Sequence, residues 1–205
     1  PDKAMIYGGS GKESIYNWYS GKNITIDSGT DSDYIHNDAN FSVIYSGSDD
    51  DTVRNHAENT FIDAGAGNNF VYMHEHMDWN ESTRNWDFVS APDNSTNNGG
   101  AGNDIIINNI YSYRAAENVS INAGSGDDTV RNFGANAKID GGEGADIVLE
   151  FGKNTTITTG LGNDTVAISG QAKNLTITDL EPTDVLDFEN KPRFARFENN
   201  ILYVE

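Results

Sequence analysis

The sequence predicts an all-β fold: a right-handed parallel β-roll, or β-solenoid, of about nine rungs of roughly 18 residues each. Three observations predict it. A glycine turn recurs along the chain, aliphatic positions keep step with that turn, and an acidic residue stands two positions before eight of the nine aliphatic anchors.

The glycine turns centre on Gly9, Gly29, Gly47, Gly65, Gly100, Gly124, Gly142 and Gly160, with a degenerate ninth at Leu180. Successive spacings are 20, 18, 18, 35, 24, 18, 18 and 20 residues, so an 18-residue unit is interrupted once at length and once briefly. One unit reads Gly47-Ser-Asp-Asp-Asp-Thr-Val-Arg-Asn55 followed by His56-Ala-Glu-Asn-Thr-Phe-Ile-Asp-Ala64. Each unit predicts a glycine turn, a short strand, a polar turn and a second short strand. Helix is disfavoured by the density of Gly, Asn and β-branched residues.

The aliphatic column holds Ile15, Ile35, Val53, Val71, Ile106, Val130, Val148, Val166 and Leu186. The opposing strands supply Ile26, Ile44, Ile62, Ile121, Ile139, Ile157 and Ile177, with Ile24, Ser42, Thr60, Val119, Ala137, Thr155 and Leu175 two residues earlier. Alternation with period two means that one face is buried and the other wet. Stacked rungs then pile like side chains into columns between two parallel sheets. One domain is expected over residues 1–205. A loop insertion at 72–98 and a C-terminal capping segment at 179–205 interrupt its regularity.

The acidic column reads Glu13, Asp33, Asp51, Asn69, Asp104, Asp128, Asp146, Asp164 and Asp184. Stacking in register brings these carboxylates to about 4.8 Å along the axis. At an effective dielectric near 20, like charges that close repel by about 3 kcal/mol per pair. A cation reverses the sign. Ca²⁺ suits the pattern best, because it takes several oxygen ligands in flexible geometry, whereas Mg²⁺ demands a tighter octahedron. A lone Asp would more simply hydrogen-bond its own turn. A whole column beside glycines favours metal.

Composition agrees. With 32 Asp+Glu against 13 Lys+Arg the formal net charge is −19, so nucleic acid and anionic lipid are not expected partners and cations are. There is no Cys, and therefore no disulfide to staple a chain that is only 36% hydrophobic. No apolar run approaches the ~20 residues of a membrane helix. The chain opens directly into a repeat at Pro1-Asp2-Lys3, as expected for a piece of a longer protein.

The motifs resemble the RTX, or haemolysin-type calcium-binding, repeat, whose nonapeptide is Gly-Gly-x-Gly-x-Asp-x-apolar-x. Gly99-Gly-Ala-Gly-Asn-Asp-Ile-Ile-Ile107 and Gly141-Gly-Glu-Gly-Ala-Asp-Ile-Val-Leu149 match fully. Ala123-Gly-Ser-Gly-Asp-Asp-Thr-Val-Arg131 and Thr159-Gly-Leu-Gly-Asn-Asp-Thr-Val-Ala167 lack only the first glycine. The resemblance implies several Ca²⁺ ions held between successive turns and secretion by a bacterium. It implies Asp104, Asp128, Asp146 and Asp164 as the foremost ligands, with Asp33, Asp51 and Asp184 in the same column. Carbonyls of the glycine turns, at Gly102, Gly126, Gly144 and Gly162, would complete the sites. Only alternate nonapeptides carry the glycine signature, so calcium is expected along one edge. Asp31 and Asp49 replace a motif glycine, Asn69 replaces the aspartate, and Lys12 beside Glu13 is expected to remove a site.

The interruption contains His74, His76 and Asp78, which would share one face of a strand. A transition metal could use that pattern, although solvated polar residues beside a loop are commoner. Trp79 and Trp86 offer either a sugar-stacking platform or a cap over the apolar edge, with the cap favoured. Near the end, Pro182 and wide aromatic spacing break the repeat, which suits a hairpin covering the last open sheet edge.

The expected function is a calcium-binding structural module of a larger secreted or surface bacterial protein, a toxin, adhesin or exoenzyme. The alternative is an adhesin-type module contacting an extracellular glycan or protein through the aromatic loop. Ice binding is disfavoured because the turn column (Thr30, Ser48, Ala66, Ala101, Ser125, Glu143, Leu161) lacks a uniform rank of Thr and Asn. No nucleophile–base–orienter set is recognisable, so the chain is not expected to be an enzyme. As a fragment it is expected to be monomeric.

Overall fold

β-Branched residues at alternate positions make strands of three to seven residues, and corners that demand positive φ separate them. In the computed structural model, residues 3–18, 22–109, 116–189, 195–198 and 201–204 are described, except for the side chains of residues 79, 86, 87, 195 and 197. Nine turns of a parallel β-solenoid can be traced among the described residues, none of which is helical.

Two sheets face each other. In spatial order, the first contains Ala4–Ser10, Ile24–Thr30, Val43–Tyr45, Phe61–Asp63, Thr96–Ala101, Ser120–Ser125, Lys138–Glu143, Thr156–Thr158 and Leu175–Thr178. The second contains Ser14–Asn17, Tyr34–Asn37, Thr52–Asn55, Phe70–Met73, Ile105–Asn108, Thr129–Asn132, Ile147–Glu150, Thr165–Ile168 and Val185–Phe188. Every one of these neighbours pairs in parallel, so each anchor from Ile15 to Leu186 lies directly beside its counterpart in the next rung. At the far end, Ala195–Glu198 and Ile201–Val204 form an antiparallel hairpin whose second strand pairs with Leu175–Ile177. Leu202 and Val204 close over the core from that hairpin.

Glycine turns one corner and asparagine the other. Gly29, Gly47, Gly65, Gly100, Gly124, Gly142 and Gly160 all have φ between 86° and 117°. A methyl group on Gly100 would collide with the carbonyl of Gly65 in the rung before it, so tight stacking requires glycine as much as the turn does. The other corner is turned by Asn23, Asn59, Asn94, Asn118, Asn136, Asn154 and Asn174, with φ between 55° and 59°. Asn is the side chain that visits this region most readily after glycine. Phe41 takes the same corner at φ 59°, where a bulky side chain is strained.

The long interruption leaves the stack as an antiparallel hairpin, His76–Asn80 with Asn85–Ser90, and Thr96 resumes the first sheet beside Phe61. At this junction the core changes character. Asn97 lies between Ile62 and Ile121 in the isoleucine column, is fully buried, and finds no partner for either atom of its amide. An unsatisfied buried amide costs about 1–3 kcal/mol. Replacement by a side chain its neighbours already match should recover it. Asn97→Ile is expected to raise unfolding stability by about 1–3 kcal/mol in urea denaturation at constant calcium. A neutral or negative change would mean that the amide is solvated within the core.

Candidate metal centre

The glycine-turn edge is built from one carboxylate per rung. Asp33, Asp51, Asp104, Asp128, Asp146 and Asp164 are all buried, each two residues before its aliphatic anchor. One oxygen of each is used to join rungs. Oδ1 of Asp33 accepts the amide N–H of Glu13 at 2.8 Å, and Oδ1 of Asp51 accepts that of Asp33 at 2.8 Å. The pattern continues with Asn69 to Asp104 at 2.7 Å, Asp104 to Asp128 at 2.7 Å, Asp128 to Asp146 at 2.8 Å and Asp146 to Asp164 at 2.9 Å. The simpler role, an aspartate bonding its own turn, is therefore not the one observed. These carboxylates bond the neighbouring rung.

That ladder uses only half of each carboxylate. Oδ2 of Asp33, Asp51, Asp104, Asp128, Asp146 and Asp164, and Oε2 of Glu13, are buried and have no hydrogen-bond partner. An acceptor without a donor in such a place calls for a cation. The turns leave room for one. A methyl group on Gly99 would sit 2.6 Å from Asp104 Oδ2, and one on Gly141 would sit 2.8 Å from Asp146 Oδ2. The last motif glycines, Gly102, Gly126, Gly144 and Gly162, have φ between 122° and 148° and stack backbone on backbone. Asp31 and Asp49, in the equivalent place, also have positive φ, at 73° and 78°. These unpaired oxygens, one per rung, are hard donors of the kind that Ca²⁺ takes.

Two members differ. Asn69 accepts the Asp51 N–H through Oδ1, and its Nδ2 donates to the carbonyl of Gly67 at 3.2 Å, where a cation would otherwise be drawn. Asp184 accepts the Asp164 N–H through Oδ1, but its Oδ2 is taken by the N–H of Glu181 at 2.8 Å. It carries no orphaned oxygen, because the last turn contains Glu181 and Pro182 in place of glycines.

The opposite edge pairs most of its side chains with one another. Asn17 Nδ2 donates to Asn37 Oδ1 at 2.6 Å, Asn37 to Asn55 at 2.8 Å, and Asn108 to Asn132 at 2.8 Å. Asn132 ends this ladder by donating to Glu150 at 3.0 Å. The signal in the sequence is an Asn two residues after most anchors, at Asn17, Asn37, Asn55, Asn108 and Asn132. Trp79 and Trp86 face each other in the backbone register of the inserted hairpin, and their side chains lie outside those described.

No family model matches the chain, and no curated protein matches it. Its architecture defines a class, the parallel β-solenoid. Within that class it is similar to the crystal structure of a hyperactive, Ca²⁺-dependent, β-helical antifreeze protein from an Antarctic bacterium, with a TM-score of 0.58 and 20% sequence identity. The match covers 91% of this chain and 62% of the other, so this chain spans less than two thirds of that protein's length. At that identity the likeness shows the fold.

Burial raises the affinity of the column for protons. It pushes Asp51, Asp104 and Asp146 up to about 6, and Asp128 up to about 7, with Asp104 and Asp146 raising Asp128 further by their charge. These values lie above those of the unfolded chain. Between them the folded state binds the more protons, so metal-free stability falls as pH rises through that window. A cation needs the ionised form and works in the opposite direction. In chelator, melting temperature is expected to fall between about pH 5 and pH 7.5, and saturating Ca²⁺ to abolish or invert the slope. Equal slopes with and without calcium would separate the column from metal binding.

Proposed function

We propose that the chain is a calcium-stiffened structural module of the RTX type. On this reading it is a non-catalytic spacer or folding aid in a larger secreted or surface-exposed bacterial toxin, adhesin or exoenzyme. The supporting observation is the row of buried carboxylate oxygens that no donor reaches. Asp33, Asp51, Asp104, Asp128, Asp146 and Asp164 would each lend Oδ2 to an ion, and carbonyls of the glycine turns would complete its shell. Without Ca²⁺ the column is a stack of desolvated charges. With it, the same column ties one turn to the next.

Such a module is soft where calcium is scarce and rigid where calcium is plentiful. That suits a polypeptide exported before it folds. The net charge of −19 keeps the unfolded chain extended and soluble until ions neutralise it. Ice binding, the property of the similar antifreeze structure, is not carried over. The turn column that would present a flat rank of Thr instead places Glu143 and Leu161 in solvent, the latter 63% exposed.

Asp128→Asn separates the two roles of the side chain. The amide keeps an oxygen for the Asp104 N–H but loses the charge. In chelator this variant is expected to melt at or above the wild-type temperature, because a buried like charge has gone. In excess Ca²⁺ it should melt lower, with the loss approaching about 2.7 kcal/mol at a concentration one hundred times the dissociation constant. Calorimetric titration should count fewer ions. The same order of stability in both buffers would defeat the reading.

A contact surface for an extracellular ligand is the second reading, favoured by stacked and exposed aromatic side chains on the second sheet. Tyr16 and Trp18 stack at 5.7 Å between ring centroids, and Tyr16 lies 5.6 Å from Tyr34. Trp18→Ala is expected to leave calcium-dependent melting unchanged while weakening retention on a glycan array. Retention equal to wild type rules this surface out.

A further inference from the structure

The four histidines of this chain are scattered in sequence at 36, 56, 74 and 76, yet the fold gathers three of them around one carboxylate and sets His74 against His56. Asp38 follows the strand Tyr34–Asn37, and in the stacked register His56 and His74 occupy the same place in the next two rungs. His36 Nε2 lies 3.2 Å from Asp38 Oδ1, His56 Nδ1 2.7 Å, and His76 Nδ1 3.4 Å. His76 opens the inserted hairpin, so the cluster joins that hairpin to two rungs of the solenoid. Asp38, His36 and His56 are all buried, and the other oxygen of Asp38 has no hydrogen-bond partner.

Proton bookkeeping shows that a cation belongs here. Arg54 Nη2 lies 3.1 Å from His74 Nε2, and a guanidinium only donates, so that nitrogen of His74 carries a lone pair. His56 Nε2 lies 2.6 Å from the same nitrogen and must therefore carry the hydrogen between them. In neutral His56 the remaining nitrogen, Nδ1, then has a lone pair aimed at a carboxylate oxygen 2.7 Å away. Two acceptors in that contact repel. Either a second proton sits in that contact, on His56 or on Asp38, or a metal ion accepts both lone pairs.

The spacings suit a metal. Ligands at 2.0–2.1 Å around a tetrahedral zinc ion stand about 3.3 Å apart; His36 Nε2 and His56 Nδ1 stand 3.2 and 2.7 Å from Asp38 Oδ1, in a trio whose ligand atoms all lie within 4.8 Å of one another, and His76 Nδ1 approaches Asp38 to 3.4 Å. Imidazole nitrogens favour Zn²⁺ and its first-row neighbours, whereas Ca²⁺ prefers oxygen. His56 Nε2–H donating to His74, itself held by Arg54, is the kind of outer contact that fixes the tautomer of a ligating histidine.

We infer that Asp38, His36, His56 and His76 form a transition-metal site of the zinc class that fastens the inserted hairpin to the solenoid. It shares no residue with the glycine-turn carboxylates and stands independently of calcium.

The test uses the untagged chain, stripped with chelator and reloaded with excess Ca²⁺ so that the acidic column cannot compete. Zn²⁺ is titrated by calorimetry and Co²⁺ by visible absorption. One equivalent per chain is expected, with the strong cobalt bands of a low-coordinate nitrogen–oxygen site. Asp38→Asn and His56→Gln should each weaken binding by more than about 100-fold, and His74→Gln, which removes only the outer contact, by about 10–100-fold. Should the buried variants fail to fold, His76→Ala on the hairpin is expected to weaken Zn²⁺ at least about tenfold. The proposal is overturned by no stoichiometric Zn²⁺ in the calcium-loaded protein, or by wild-type affinity in the variants that fold. A doubly protonated His56 at neutral pH by NMR, with Zn²⁺ present, would overturn it equally, since the cation would then be a proton.

Discussion

Everything in this molecule follows from stacking without slippage. The glycine corners pack so closely, backbone against backbone, that one rung can meet the next in a single register. A shift of one residue would turn every aliphatic anchor outward. Each side chain therefore lies above its own kind, and any property of one rung is repeated along the axis. Repetition benefits isoleucine, whose burial adds at each step. It is neutral for asparagine. For aspartate it is a burden.

The contrast between the two edges comes down to what each side chain can donate. A carboxamide has both an acceptor and donors, so a column of Asn17, Asn37 and Asn55 satisfies itself, each Nδ2 reaching the next Oδ1. A carboxylate has acceptors only. In the acidic column the donors must come from the backbone, and one N–H per rung leaves one oxygen over. Column chemistry thus decides which edge is complete within the protein and which needs something from solution. The rung beginning at Gly65 makes the point from the other side. Met73 takes the asparagine place there and has no donor, and Asn108 Oδ1 in the following rung is left unpaired.

Much of this was legible in the sequence, because periodicity is the most direct signal a repeat fold gives. The glycine spacing located the corners, the aliphatic columns located the core, and Asp two places before each anchor located the edge that now holds the unpaired oxygens. Less legible was the division of labour within each carboxylate, since that depends on which amide of the neighbouring rung lies in reach. Asp184 shows this well: the residue keeps the column, yet its second oxygen is consumed locally. The histidine cluster was partly hidden for a different reason. Asp38, His56 and His74 stand 18 residues apart, in step with the repeat, but the interruption that follows His74 obscured the period. The alternation of His74, His76 and Asp78 places His74 and His76 together against His56 and Asp78 within 2.9 Å of His76, but it does not announce Asp38, which His76 meets from an earlier rung.

The interruption is also where the solenoid is least able to hold itself together. Asn69 replaces a carboxylate in the acidic column, Met73 breaks the asparagine ladder, and Asn97 interrupts the isoleucine column, all within the rungs that flank the hairpin. The backbone ladder runs on through Asn69, but three of the side-chain columns change character close to the interruption. The buried cluster of Asp38, His36, His56 and His76 lies one to two rungs before that level on the second sheet, and its residues come from both the regular rungs and the hairpin. A weak joint in a linear stack matters more than one in a globular core, because each rung touches only its neighbours and no longer-range contact compensates. A side-chain cluster that draws the inserted hairpin back onto the second and third rungs therefore adds a contact that nearest-neighbour stacking does not supply.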